Sequence, residues 1–572
     1  MPAQNTEVAK QFNQIADLLE IKGENRFRIR AYRNAARTIS DLSENVADLI
    51  HNKKDLTELP GIGKDLALKI IEIVDTGHLE LLEKIEKEVP VILRELLKIP
   101  LIGPKRVQLI IKNFKIKSLD DFKKIVLDKS ILQLHGFGEK IRLSILEELN
   151  KKKVPQRILI SEADETVELI LKYLQKTKGV KHLSVAGSIR RRKDTIGDID
   201  ILLTTTKTKE ASEHFLKYDK IIKVLSQGAT RTSVLLKSGV QVDLRVVQDN
   251  FYGAALLYFT GSKNHNVALR TLAMKQGLKI NEYGIFKGSE NLASENEKDI
   301  YKLLKMPYIE PELREDNGEI EAALQNKLPK LIEMKHIQGD LHIHTNATDG
   351  SNSIKDIVTA AKEKGYAYIA ITDHSEKLTI TNGLNAHRLL KQIDEIDQMN
   401  KVDTNFTILK SIEVDILADG QLDMPEEILK KLDLTVCAIH SNFNLSKIKQ
   451  TDRILRAMEN PYFTIFAHPT SRLINERDPI EFDFTKIILQ AKKLNRILEI
   501  NAQPTRMDLT DFHCRLAKES HVKFAISTDS HSLSQFNYMQ LGVDQARRGW
   551  LEKNDIINTY SILNLKKILS LK

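Results

Sequence analysis

Between residue 336 and the C-terminus, short apolar runs keep returning after helix-patterned stretches, and this alternation constrains the fold more than any other feature of the chain. The runs are Tyr368–Thr372, Thr407–Ser411, Thr435–Ile439, Phe463–Ala467, Ile497–Asn501 and Phe524–Ser527. A strand reached through a helical crossover lies parallel to the one before it. Six or more such units predict a β/α barrel, in which the C-terminal ends of the strands open onto one mouth. The front of the chain is of another kind. Residues 1–150 space their apolar side chains three and four apart between Gly and Pro breaks, which predicts almost continuous helix. From about Leu183 the pattern changes to runs such as Ile199–Leu203, Val234–Leu236 and Val240–Val247, the strands of an α/β or α+β unit. Lys151-Lys152-Lys153-Val154-Pro155 marks one junction, and Glu310-Pro311-Glu312 opens a second at 309–335. At roughly 100–200 residues per domain, 572 residues make three to five units.

Composition divides along the same line. Residues 1–300 hold 51 Lys and Arg against 40 Asp and Glu, whereas residues 301–572 hold 36 against 38. The net charge of +9 therefore belongs to the front, which suggests a polyanionic partner. Ten of the 16 His lie beyond residue 335, which suggests metal chemistry there. Two cysteines, Cys437 and Cys514, exclude a disulfide framework and a cysteine-based zinc cluster. No basic stretch leads into an apolar one at the N-terminus, and no apolar run reaches the ~18–20 residues of a membrane span. The expectation is a soluble, cytoplasmic protein with no membrane partner.

Three segments in the helical front share one pattern: Leu59-Pro60-Gly61-Ile62-Gly63-Lys64, Ile99-Pro100-Leu101-Ile102-Gly103-Pro104 and Leu134-His135-Gly136-Phe137-Gly138-Glu139. They resemble the helix-hairpin-helix motif, whose turn offers backbone N–H groups at a helix N-terminus to one DNA phosphate without reading a base. On that likeness Gly61, Gly63, Lys64, Gly103, Gly136 and Gly138 bind DNA. Leu101 stands where the first Gly of the pattern belongs, which weakens the DNA contact expected of the second copy.

The most specific front-half signal runs from Gly187 and Ser188 through Arg190-Arg191-Arg192-Lys193 to Gly197-Asp198-Ile199-Asp200. A Gly-Ser turn that begins a helix can cradle a triphosphate. Asp198 and Asp200 are two apart on a strand and so share a face. Two such carboxylates repel unless a cation lies between them, which argues for Mg²⁺. Asp243, on a later strand, supplies the third carboxylate of a two-metal site. In the back half, His342 and His344 are likewise two apart, Asp349 follows, and ligand-type residues recur at the strand ends: His374, Glu413, His440, His468, Asp529 and His531. Six His, one Glu and two Asp make a mixed nitrogen and oxygen site for two or three divalent metals, Mn²⁺, Zn²⁺ or Fe²⁺.

Residues 1–310 resemble the family X, polymerase-beta-like, DNA polymerases. The resemblance implies that Asp198, Asp200 and Asp243 are catalytic and bind Mg²⁺ or Mn²⁺. It implies that Gly187, Ser188, Arg191 and Gly197 contact the incoming triphosphate and that Tyr258-Phe259-Thr260-Gly261 turns against its sugar. Asn266 and Arg270, on one face of the next helix, then probe the nascent pair and the template strand. Arg192, Asp194 and Lys263 depart from residues usual in the family, and a change in nucleotide affinity or fidelity is expected from them. Lys69 matches by spacing a lysine that some relatives use as a Schiff-base nucleophile; a phosphate-binding lysine is the alternative. Residues 336–572 resemble the PHP (polymerase and histidinol phosphatase) domain, and all nine of its ligand positions are filled.

The two resemblances imply helical hairpin domains at 1–85 and 86–153, a nucleotidyltransferase palm at 154–248 and a nascent-base-pair subdomain at 249–315. A linker at 316–335 and a distorted β/α barrel at 336–572 complete the chain. They imply a bacterial polymerase that fills short gaps in base excision repair, with a 3′-5′ exonuclease and an abasic-site endonuclease in the PHP domain. The partners are gapped or nicked DNA and dNTPs, and a monomer suffices. A small-molecule phosphatase fused to a template-independent nucleotidyltransferase is the rival, against which the hairpin turns and the Asn266/Arg270 helix speak.

Overall fold

A computed structural model describes residues 3–40, 42, 46–51, 54–76, 79–97, 99, 101–150, 157–228, 230–378 and 381–569. The junction at 151–155 and Pro100 lie outside the described residues. The chain forms two compact units, the first ending at Val154 and the second beginning at Pro155.

The first unit is helical around one apolar core. Its three hairpin turns have the same build. Ile62 N–H donates to Leu59 O, Ile102 N–H to Ile99 O and Phe137 N–H to Leu134 O, at 3.0, 3.0 and 3.1 Å. The apolar residue at the centre of each turn, Ile62, Ile102 or Phe137, is 3% exposed and pins the turn to the core. Gly61 and Gly136 have φ of 77° and 87°, and Leu101 has 70°. Packing thus forces on Leu101 the left-handed backbone that glycine adopts freely, at a cost of about 1–2 kcal/mol. The second turn keeps its shape despite the substitution.

The second unit begins with strands β1 (Ile158–Leu159), β2 (Leu183–Val185), β3 (Thr195–Ile196), β4 (Asp198–Thr204), β5 (Ile221–Gln227), β6 (Arg231–Leu236) and β7 (Gln241–Val247). β1 pairs with β3, and the others form one sheet in the order β2-β4-β7-β6-β5 with β4 and β7 parallel. Helix Ile160–Leu174 covers the apolar face through Val167 and Ile170, against Ile199, Ile201, Val242 and Leu244. A three-stranded antiparallel sheet follows: β8 (Lys279–Asn281), β9 (Gly284–Lys287) and β10 (Glu290–Ala293). The stretch 316–335 packs into this subdomain. Ile320 and Ala323 join its core, and buried Glu319 binds His265 Nδ1 at 2.6 Å and the backbone N–H groups of Asp316 and Asn317.

The remaining strands are β11 (Gly339–Ile343), β12 (Tyr368–Ile371), β13 (Thr407–Lys410), β14 (Glu413–Asp415), β15 (Val436–Ala438), β16 (Ile465–Phe466), β17 (Ile497–Asn501) and β18 (Phe524–Ser527). β13 and β14 are one strand broken at Ser411-Ile412, the first half pairing with β12 and the second with β15. Every ladder is parallel, and a bridge from Ile343 to Ser530 sets the end of β18 beside β11, so the pairing order returns to its start as a distorted barrel. This barrel locks onto the β2–β7 sheet: Met507, Leu541 and Ile474 enter the core under that sheet, and Arg548 donates to Arg191 O at 2.7 Å.

Candidate active sites

β4 and β7 pair in register with Asp200 opposite Asp243. Together with Asp198, two residues earlier on the same face, they bring three carboxylates within 4.8 Å of one another. Asp243 is buried and held by Arg231 Nη2 at 2.6 Å and Gln241 Nε2 at 3.1 Å. Burial, then Asp198 and then Asp243, push the Asp200 carboxyl up to about 7. Three hard oxygen donors that repel one another fit Mg²⁺ or Mn²⁺. Gly187 starts a helical turn with φ 58°, and a Cβ there would lie 2.1 Å from Asp200 Oδ2, so no side chain fits.

A cleft of about 560 Å³ is lined by Gly187, Ser188, Arg191, Tyr258, Phe259, Gly261, Asn266 and Arg270 together with Asp198 and Asp200. Gly197 is not among its lining residues and backs onto Arg157 instead. Arg157 itself lines the cleft, as do Lys193 and Lys263. Arg157 carries no motif and was not read from the sequence. Arg191 is pinned by Glu315 at 3.0 Å and by Thr260 O, while Phe259 lies under Arg245.

Two of the family departures bond to the barrel. Arg192 adopts φ 56° and makes a bidentate pair with Asp164 at 2.7 and 2.8 Å, and its Nε reaches Asp544 of the barrel at 2.7 Å. Asp194 accepts from Arg472 Nη2 of the barrel at 3.0 Å. Both tie the two parts of this unit together, and neither lines the cleft. In the first unit, Gly61, Gly63, Lys64, Gly103, Gly136 and Gly138 all belong to the hairpin turns, and Lys69 pairs with Asp65 one turn earlier.

The nine barrel residues converge. His344, Asp349, His374 and His531 form one group, His342, His344 and Asp529 a second, and His374, Glu413 and His440 a third. His468 Nε2 joins the last through Glu413 Oε1 at 3.0 Å. His468 and Asp529 have φ of 27° and 51°, strained values that the surrounding strand ends impose. Burial works against the charge on Glu413, yet His374, His440 and His342 more than offset it and hold the carboxyl well below its ordinary range. Asp529 is held low in the same way by His342, His344 and His531. Buried His344 Nδ1 and His468 Nδ1 are left without hydrogen-bond partners, while His374 Nδ1 faces Glu413 Oε2 at 2.7 Å. Six imidazoles, three carboxylates and no thiolate, with lone pairs left over, fit a cluster of divalent metals.

Sequence reading missed one of the residues that orient these side chains. Glu499, fully buried on β17, accepts from His342 Nδ1 at 2.7 Å and from His468 N at 2.6 Å, so His342 Nε2 faces the cluster. Asp415 does the same for His440 Nδ1 at 2.9 Å. The one sequence signal for Glu499 is a carboxylate inside an otherwise apolar strand.

Family models match along most of the chain: helix-hairpin-helix domains at 3–79 and 93–151, DNA polymerase beta palm at 157–273, DNA polymerase beta thumb at 255–315 and PHP domain at 340–554. The DNA polymerase/3'-5' exonuclease PolX of Bacillus subtilis (strain 168) is 36% identical over 568 residues, 98% of this chain and 99% of that one. The chain belongs to the bacterial family X DNA polymerases that carry a PHP domain. A probable phosphatase of Thermoanaerobacter sp. (strain X514) is 30% identical over 231 residues, 38% of this chain and 89% of that protein. DNA polymerase lambda of Rattus norvegicus is 25% identical over 344 residues, 54% of this chain and 56% of that one. No described helix is long and apolar enough to cross a membrane.

Proposed function

We propose that this chain fills short gaps in DNA during base excision repair and that its PHP site removes 3′-terminal nucleotides and cuts at abasic sites. The observation that carries this reading is the pair of metal-ligand clusters, one in the palm and one in the barrel, within a single compact unit. Asp198, Asp200 and Asp243 would hold Mg²⁺ or Mn²⁺, and the nine barrel residues two or three of Mn²⁺, Zn²⁺ or Fe²⁺. Bound there, such cations lower the proton affinity of the attacking hydroxyl or water and offset the charge that grows on phosphorus-bound oxygens.

The chain's own groups do the rest. Gly187, lacking a side chain, leaves the cleft open beside Asp200, and Arg191, fixed on two sides, presents its remaining amino group to a triphosphate. Tyr258, Phe259 and Gly261 form the wall for base and sugar, and Asn266 is held to Tyr258 O at 2.7 Å. The three hairpin turns of the first unit bind the DNA backbone around the gap. Lys69 serves as a phosphate-binding cation there. In the barrel, Glu499 and Asp415 keep His342 and His440 in the tautomer that ligates. The protein works as a cytoplasmic monomer on gapped or nicked DNA and dNTPs.

The test is end-labelled gapped DNA incubated with the protein and Mn²⁺. With dNTPs the primer lengthens as the template dictates, and without them it shortens from its 3′ end. Untemplated addition, or no change, would reject the proposal.

A further inference from the structure

Three arginines lie on the loops that follow the strand ends at the mouth of the barrel, and two are spent on the protein. Arg472 donates to Arg506 O at 2.7 Å, to Met507 O and to Asp194 at 3.0 Å. Arg477 donates to Ser471 O through Nε and Nη2 at 3.0 and 2.7 Å and stacks on Phe443 with its carbon 4.0 Å from the ring centre. Arg506 is the third. Its side chain is 19% exposed, its Nε stands 3.7 Å from Asp529 Oδ2, and no described residue accepts a hydrogen bond from its guanidinium. Its N–H donors lie beside a metal-ligand cluster, reach solvent and are left to meet the acceptors of a ligand.

The loop that carries Arg506 is rigid. Asn501 N and Asp508 O close it across its base, Gln503 N–H donates to Asn501 Oδ1 at 3.0 Å, and Gln503 Nε2 donates to Asp529 O at 2.6 Å. Arg472 clamps the carbonyls of Arg506 and Met507, and Met507 is seated in the core of the palm. A loop held this way fixes the Cα from which the Arg506 side chain extends, and its guanidinium lies 3.7 Å from Asp529, so positive charge is placed in advance, as charge stabilisation in a transition state needs. Its planar fork matches two oxygens of a phosphodiester.

We propose that Arg506 is a catalytic residue of the barrel site, binding the scissile phosphate of the 3′-terminal nucleotide through two non-bridging oxygens. The inference rests on the nuclease reading of that site. In the hydrolysis, the oxygen of water bonds to phosphorus and the bond from phosphorus to the 3′-oxygen of the penultimate nucleotide breaks. That oxygen leaves with a proton as the new 3′-hydroxyl, and a nucleoside monophosphate is released. Arg506 neutralises the charge that builds on the non-bridging oxygens in between.

The full chain is compared with Arg506→Met, Arg506→Lys and His344→Ala on 3′ shortening of end-labelled single-stranded DNA under single-turnover conditions. Inhibition by inorganic phosphate, bound-metal content and extension on gapped DNA are measured alongside. Arg506→Met is expected to slow shortening about 100-fold or more and to raise the phosphate concentration for half-inhibition about tenfold, for a lost charge-assisted contact of about 1.4 kcal/mol. Metal content and extension stay at wild-type levels, and Arg506→Lys recovers part of the rate. Shortening within threefold of wild type, phosphate inhibition that does not change or is absent in the wild type, or a loss that tracks loss of metal would overturn the proposal. Shortening that survives in His344→Ala would instead remove the nuclease reading itself.

Discussion

The two metal-ligand clusters are built on opposite electrostatic plans. In the palm, three carboxylates meet with no cation among their ligand groups, and Asp200 is pushed up to about 7 by burial and by its two neighbours. In the barrel, imidazoles interleave with carboxylates, and Glu413 and Asp529 are held well below their ordinary range although both are buried. The crowding of carboxylates in the palm is therefore relieved when a cation arrives, and Asp198 and Asp200 line an open cleft while Asp243 is buried against Arg231. The barrel site is close to balanced before any metal binds. A site whose metals come and go with substrate tolerates the first plan, and a site that keeps its metals needs the second.

The contrast breaks most sharply at Gly187. A Cβ 2.1 Å from Asp200 Oδ2 must displace that carboxylate, so Gly187→Ala is expected to lower polymerase kcat/KM by about 100-fold or more, as a displacement of about 1 Å at reacting groups does. Nuclease activity on the same DNA should not change. Glu499→Gln probes the other side. Without its charge, His342 loses its anchor, and metal affinity measured by chelator competition should fall about 10–100-fold in the barrel and not at all in the palm.

pH separates the two sites at a smaller scale. Asp200 must lose a proton to bind metal, so Mg²⁺ affinity at the palm should drop about tenfold per unit as pH falls below about 7. Linkage gives the two sites opposite signs in the metal-free protein. Asp200, raised above its ordinary 3.8, contributes stability that is full below about pH 4 and is lost as pH rises through about 7. Glu413, lowered from 4.5, and Asp529, lowered from 3.8, contribute stability that is present above those values and lost as pH falls through their lower folded ones. Denaturant melts of palm-site and barrel-site variants, across about pH 4–8 for the palm and below about pH 4.5 for the barrel, distinguish the two trends.

Residues with a repeating or paired signature were legible in the sequence. The strand runs of the barrel, the Asp198/Asp200 pair and the nine converging barrel residues all follow from period-two geometry and from strands that end at one mouth. β5 escaped because its side chains are exposed at the sheet edge and carry no apolar alternation. Glu499 and Arg157 escaped because each is set in place against a partner brought close only by the fold, His342 and Thr195, and spacing says nothing about that. The departures at Arg192 and Asp194 are visible in the sequence, but their bonds to the barrel are not. Their partners Asp544 and Arg472 lie hundreds of residues away, and no local pattern pairs them.

The claim that one chain holds two independent centres of opposite chemistry is tested most directly by a reciprocal pair of variants on one substrate. Asp198→Ala and His344→Ala are each incubated with end-labelled gapped DNA, with and without dNTPs. Asp198→Ala should lose extension by about 1000-fold or more and keep 3′ shortening, and His344→Ala should do the reverse, since each removes a metal ligand from one site only. Both activities falling together in either variant, or shortening that persists at the wild-type rate in His344→Ala, would contradict the account.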